Sequence, residues 1–96
     1  MSGFIYIITN KNNSVLYTGV TSDLKERTDQ HKNKKHKKSF SSKYNMIKLV
    51  YFGQYENIGE AIIREKQIKG GNRKKKLELI NNKNPGWVDL YDTLLV

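Results

Sequence analysis

Two short runs, "FIYIIT" (residues 4–9) and "VLYTGV" (15–20), flank the polar stretch "NKNNS" and constrain the fold more than any other part of the chain. Both are rich in aromatic and β-branched residues, and an Asn-rich link of this kind is turn chemistry, so the segment predicts a β-hairpin. With an even loop, Asn10 opposite Val15, Tyr6 faces Gly19 and Ile8 faces Tyr17. Residues opposed across two strands share a face of the sheet, which makes Tyr6 and Tyr17 diagonal neighbours, with open space expected beside Tyr6 at Gly19. Alone, the pair reads as two aromatics filling a sheet face.

The remaining segments follow the same punctuation. "TSDLKERTDQHK" predicts a helix with Thr21 or Ser22 as its N-cap and Asp23 and Glu26 near its positive end. "NKKHKKSFSS" is polar, basic and aperiodic, a loop. "IKLVYFGQY" (47–55) predicts a third strand, and "NIGEAIIREKQIKGG" a helix capped by Asn57 and stopped at Gly70-Gly71. Asn72 caps a further helix to about Asn82, "NKNPGW" turns the chain, and an extended or irregular tail follows, packed by Trp87 and Leu90. The order ββαβαα predicts an α+β fold: a small three-stranded, mainly antiparallel sheet flanked by helices. With 96 residues the expectation is one domain, 1–96, and a hydrophobic fraction of 36% suffices for one small core. No apolar run is long enough to span a bilayer. The lack of cysteine excludes disulfides and thiolate-bound zinc and suits the cytoplasm, with association with the nucleoid a natural extension.

Charge narrows the function. The net charge is +9, and residues 25–76 hold 16 of the 18 Lys and Arg against five acids, a local net of +11. A basic middle of this kind attracts a polyanion, above all nucleic acid. Lys34, Lys35, Lys37, Lys38 and Lys43 in and after the loop, and Arg73, Lys74 and Lys75 after the second helix, are the candidate phosphate contacts. Phe40 and Tyr44 could stack on unpaired bases, though core or loop packing explains them more simply. His31 and His36 lack the helical spacing of a zinc pair.

Two polar residues then stand out in apolar stripes. In the first helix the stripe from Leu24 continues through Arg27, Thr28 and His31, so a helix packed on Leu24 carries Arg27 and His31 toward the sheet. In the second, the inward stripe is Ile58, Ala61, Ile62, Glu65 and Ile68, and Glu65 is its sole acid. Glu65 is open to two readings: an ion pair with Lys69 one turn on, or a ligand for a hard divalent cation. Two phenols, a guanidinium, an imidazole and one carboxylate aimed at one face suit phosphodiester cleavage. One carboxylate is enough for Mg²⁺, which keeps most of its waters and takes other ligands from substrate phosphate. Arg27 offers a clamp for charge on phosphorus, and a phenolate or His31 could take a proton from water. A tyrosine base needs its pKa lowered from about 10 by nearby positive charge.

The ordered set resembles the GIY-YIG nuclease superfamily, most of all its small stand-alone members related to the N-terminal incision domain of the repair excinuclease. "FIY" ends at Tyr6, ten residues intervene, and "YTG" is Tyr17 to Gly19; "SDLKERTDQH" supplies Arg27 and His31, and "EAIIREKQIKG" supplies Glu65. "KYNMIKLVYF" and "NPGW" also look like the small members, so the resemblance spans about residues 3–90. It implies Mg²⁺-dependent cleavage of nucleic acid with a single ion on Glu65 (Mn²⁺ as a substitute), Arg27 as phosphate clamp, Tyr17 as base or water-positioning phenol, and Tyr6 nearby. Three departures stand against it: Phe4 replaces the leading Gly, Val20 stands where some members carry a Lys, and neither Asn72 nor Asn81 aligns with the Asn that many members carry beyond the Glu.

The expected function is therefore a Mg²⁺-dependent endonuclease on DNA, with branched, flapped or nicked forms preferred, in repair or recombination. DNA is favoured over RNA as partner, and no membrane is involved. The alternative is a non-catalytic DNA- or RNA-binding module that retains the fold. Metal dependence separates the two.

Overall fold

The computed structural model describes residues 1–33 and 44–95, so Lys34, Lys35, Lys37, Lys38 and Lys43, with His36 and Phe40, lie outside the described residues. Strand β1 (Gly3–Thr9) pairs antiparallel with β2 (Leu16–Thr21) on one side and with β3 (Lys48–Tyr55) on the other, giving the order β2-β1-β3. Helices α1 (Leu24–Lys32), α2 (Ile58–Gly70) and α3 (Arg73–Lys83) and a C-terminal 3-10 turn (Leu90–Leu95) complete the described chain. The α+β class and the order ββαβαα are those read from the sequence; the tail winds into a 3-10 turn instead of running extended.

The hairpin register puts Tyr6 opposite Gly19 and Ile8 opposite Tyr17, as the even loop requires. Asn10 builds the turn: its Oδ1 accepts from the backbone N of Ser14 (2.9 Å) and Val15 (3.2 Å), while Asn13 takes the left-handed conformation at φ 57°. On the β3 side a bulge falls between Ile7 and Ile8, which pair with Tyr51 and Leu49 and leave Val50 as the extra residue. The Val50 carbonyl accepts from Asn84 Nδ2 at 3.0 Å, and Asn84 also bonds the Val88 carbonyl (2.8 Å) and amide (3.1 Å). One buried asparagine thus fixes the turn after α3 to the sheet.

The sheet carries different helices on its two faces. Ile5, Ile7 and Val50 pack with Ala61 and Ile68 of α2 and Ile80 of α3. Tyr6, Ile8 and Leu49 pack with Leu24 of α1 and Met46, with Leu90 and Leu94 of the C-terminal turn against them. Helix α2 is therefore not on the tyrosine face, and the expectation that both helices aim their polar residues at one face is corrected: of the two, α1 alone packs there. Ile62, expected inward, is 37% exposed, because α2 rests on the sheet through Ala61 and Ile68.

Helix α1 is weakly apolar. Its N-cap is Asp23, which accepts from Glu26 N at 3.0 Å, while Thr21 Oγ1 accepts from Asp23 N at 3.1 Å in the turn before it. The cap is thus two or one residues later than Thr21 or Ser22. Leu24 is the one large apolar side chain that α1 buries, beside Thr28 and His31. Burying a leucine contributes about 1.5–3 kcal/mol, whereas ordering each backbone residue costs about 1–2 kcal/mol. A nine-residue helix of this composition needs further anchors.

Candidate active site

The tyrosine face closes around the Tyr6 hydroxyl. Tyr6 is 1% exposed, and its ring lies across Gly19, where a Cβ would stand 2.4 Å from the hydroxyl oxygen and 2.5 Å from Cζ. The space expected beside Tyr6 is thus filled by the phenol itself, and glycine is required there to let the ring lie flat. Arg27 Nε donates to the Tyr6 hydroxyl at 3.3 Å, and the hydroxyl lies 3.1 Å from His31 Nε2. Arg27 can only donate, so the Tyr6 oxygen accepts there, and the direction of the Tyr6–His31 bond follows the imidazole tautomer. The Tyr6, Tyr17 and His31 rings form a triangle with centroids 6.4, 5.7 and 6.1 Å apart.

Burial pushes the Tyr6 phenol above its ordinary value, and the hydrogen bond and charge of Arg27 only partly offset this. Tyr6 is therefore a neutral phenol that orients Arg27 and His31, not a phenolate base. The same hydrogen bond raises Arg27, against its partial burial, and Tyr17 adds to the effect. Arg27 Nη1 donates to Gln30 Oε1 at 2.9 Å, so the guanidinium is held from two sides. The only sequence signal for Gln30, which sequence reasoning misses, is its i,i+3 spacing from Arg27.

Glu65 stands on α2, which packs on the opposite face of the sheet from α1. Its charge is felt at the Tyr6 hydroxyl, raising that pKa slightly. Lys69 Nζ lies 3.4 Å from Glu65 Oε1 and 5.6 Å from the centroid of the Tyr17 ring. Both readings of Glu65 thus bear on one place: the ion pair with Lys69 is formed, and a cation stands beside the carboxylate next to Tyr17. The donor set there, one carboxylate with little exposure whose lysine partner lies by the Tyr17 ring, fits a hard divalent ion that fills its shell with water and phosphate. Among the described residues no three His, Cys, Asp or Glu converge as an all-protein cage.

The other predicted residues fall at the rim. Arg73 Nη2 donates to the Ser14 carbonyl at 3.2 Å, which ties the start of α3 to the hairpin turn, three residues before Tyr17. Lys74 and Lys75 are exposed on the same turn of α3. Asn72 and Asn81 are occupied structurally: Asn72 caps α3 by accepting from Lys75 N at 3.0 Å, and Asn81 Oδ1 accepts from Trp87 Nε1 at 2.7 Å. A cavity of about 190 Å³ adjoins Arg27, lined by Thr21, Ser22, Asp23, Glu26 and Gln30. A larger one, about 390 Å³, lies between α2 and α3 and includes none of Tyr6, Tyr17, Arg27, His31 or Glu65.

A hairpin bearing two phenols, with an arginine and a histidine on the next helix and a lone glutamate on a later one, defines a class, and the sequence carries its mark: the GIY-YIG catalytic domain family matches residues 2–78, so the chain belongs to that family. Its relatives are small proteins. It is 41% identical over 85 residues to the UPF0213 protein CPE1444 of Clostridium perfringens, covering 84% of this chain and 85% of that one. It is 37% identical over 86 residues to the UPF0213 protein SAV0488 of Staphylococcus aureus, covering 85% of this chain and 98% of that one. The solution NMR structure of the UPF0213 protein BH0048 from Bacillus halodurans superposes with a TM-score of 0.55 at 28% identity, covering 86% of both chains. The family domain implies a nuclease acting on nucleic acid, and its members generally use a divalent metal.

Proposed function

We propose that the chain is an Mg²⁺-dependent endonuclease that hydrolyses phosphodiester bonds in DNA. The observation that carries this reading is the Tyr6 hydroxyl, bonded to Arg27 and His31, with the Tyr17 ring beside that of Tyr6 and the Glu65 charge felt there. Glu65 would hold one ion, Mg²⁺ or Mn²⁺ in its place, which polarises a phosphate oxygen and stabilises the leaving oxyanion when bound. Arg27, fixed by Tyr6 and Gln30, presents its remaining N–H groups to charge building on phosphorus. Tyr17, more exposed than Tyr6, orients the attacking water or takes its proton, with His31 held beside it by Tyr6.

Arg73, Lys74 and Lys75 at the start of α3 track the phosphate backbone past the hairpin, together with the basic residues that follow α1 in sequence. Small size and a basic rim favour structure-selective cutting of branched, flapped or nicked DNA, in repair or recombination in the cytoplasm or at the nucleoid. The Glu65–Lys69 ion pair favours the second reading, a DNA- or RNA-binding module that retains the fold. The test is pure protein incubated with supercoiled, linear and branched DNA and with RNA, in Mg²⁺ or in EDTA. Cutting in Mg²⁺ only, fastest on branched DNA, is expected. Salt-sensitive binding with no cutting of any form would give the second reading the lead, and equal rates on branched and plain duplex would sink the structure preference.

A further inference from the structure

We infer that Asp89 and Tyr91 are positioning residues for the Tyr6–Arg27–His31 cluster, acting through the far side of α1. Both lie beyond residue 78, where the family match ends. Among the described elements, the C-terminal turn is also the one that lies most extensively along the backbone of α1.

The contacts are specific and converge from several directions. Tyr91 donates its hydroxyl hydrogen to Asp29 Oδ1, and Asp29 Oδ2 accepts from Lys25 Nζ at 3.0 Å. Lys32 Nζ donates to Asp89 Oδ2 and to the Ile47 carbonyl (2.8 Å), and sits 4.8 Å over the Tyr91 ring. Asp89 Oδ1 accepts from the amide of Leu49 (3.1 Å) and from that of Tyr91 (3.0 Å). Leu49 belongs to β3, an edge strand, so Asp89 satisfies an edge amide with the same carboxylate that holds the last turn of α1.

Helix geometry shows why these contacts govern the site. Asp29 is two residues from both Arg27 and His31, about 200° around the helix from each at 3.6 residues per turn. One side of α1 is thus pinned to the C-terminal turn while the opposite side presents the guanidinium and imidazole to Tyr6. Side chains extend about 5–6 Å from the helix axis, so a rotation of roughly 10° moves the tips of Arg27 and His31 by about 1 Å. A misplacement of that size can lower a rate by up to about 100-fold. Leu24 alone does not fix the rotation, since it is the one large apolar anchor α1 has.

The inference rests on the nuclease reading only where activity is measured. The test uses the full chain with Tyr91→Phe, Asp29→Asn, their combination, and Asp89→Asn, with Val88→Ala as an exposed control from the same segment. The first readout is the imidazole resonances of His31, with His36 as the internal reference. The expected result is a shift of the His31 signals in Tyr91→Phe and in Asp89→Asn, no larger shift in the double variant than in the singles, and none in Val88→Ala. On the best DNA substrate, kcat of Tyr91→Phe should fall about tenfold with KM changed less than twofold. Unmoved His31 signals in a folded Tyr91→Phe, whatever its melting temperature, would overturn the inference. If the wild type cuts nothing, the nuclease reading fails, and the imidazole signals still decide this one.

Discussion

Gly19→Ala is the sharpest probe of how the hairpin carries its tyrosines. Its backbone is not in the left-handed region, so nothing in the main chain demands glycine, and the substitution would ordinarily stabilise by about 0.4–1 kcal/mol through the unfolded state. Here the new methyl would stand 2.5 Å from Tyr6 Cζ, against a normal carbon contact of about 3.5–4.0 Å, so the ring must move by about 1 Å. That overpacking costs about 1–3 kcal/mol. It also stretches the 3.3 Å bond from Arg27 beyond hydrogen-bond range, a charged bond whose loss costs about 1.5–3 kcal/mol. The net is a destabilisation of about 1.5–5.5 kcal/mol after the backbone gain. Gly53 is the matched control: in β3, not left-handed, its Cβ would meet Ile5 and Tyr55 side-chain atoms at an ordinary 3.5 Å or more, so Gly53→Ala should be neutral or slightly stabilising. Urea midpoints at unchanged slope measure both. Equal effects of the two substitutions would refute the placement of the Tyr6 ring.

Individual contacts elsewhere give further outcomes. The Tyr6 phenol has a raised pKa in the folded state, first through burial, so the folded protein binds more protons just above the unfolded value of about 10. Its contribution to stability is full below pH 10 and is lost as pH rises above it; urea midpoints from pH 9 to 11 should fall less steeply in Tyr6→Phe, and parallel curves would contradict the burial argument. Asn84→Ala removes bonds of 3.0, 2.8 and 3.1 Å from a buried side chain and should cost on the order of 2–4 kcal/mol; a loss under about 0.5 kcal/mol would mean the bulge carbonyl finds another donor. Lys69→Gln frees Glu65 from an ion pair whose lysine is about half exposed, worth at most about 1 kcal/mol. Mn²⁺ affinity, read by calorimetry, should tighten by up to about fivefold, and no change would show that Lys69 does not compete for the carboxylate.

Much of the site is legible in the sequence because it is local. The even loop sets the register, and the register puts Tyr6 and Tyr17 on one face; Leu24 then marks the inward side of α1, on which Arg27 and His31 also lie. Glu65 is legible as an anomaly in an apolar stripe but not in its placement. A helix stripe says which side is inward, not which sheet face it meets, and α2 meets the face of Ile5 and Ile7. Placing the cap at Thr21 or Ser22 fails for a similar reason, since Asp23 can equally accept from a helix amide and the side-chain turn of Thr21 onto Asp23 makes it the cap. The roles of Asn84, Asp89 and Tyr91 are invisible in the sequence. Their partners Val50, Leu49 and Asp29 lie 34 to 62 residues away, and no local pattern marks a single polar residue that reaches so far.

The most direct test of the nuclease centre is Glu65→Ala compared with wild type on one labelled branched DNA, with cleavage in Mg²⁺ and binding in EDTA measured side by side. Equal affinity in EDTA, with cleavage confined to the wild type in Mg²⁺, is the predicted result. Undiminished cleavage by Glu65→Ala would contradict the assignment of the carboxylate, and binding without cleavage by both proteins would leave the chain a nucleic-acid-binding module.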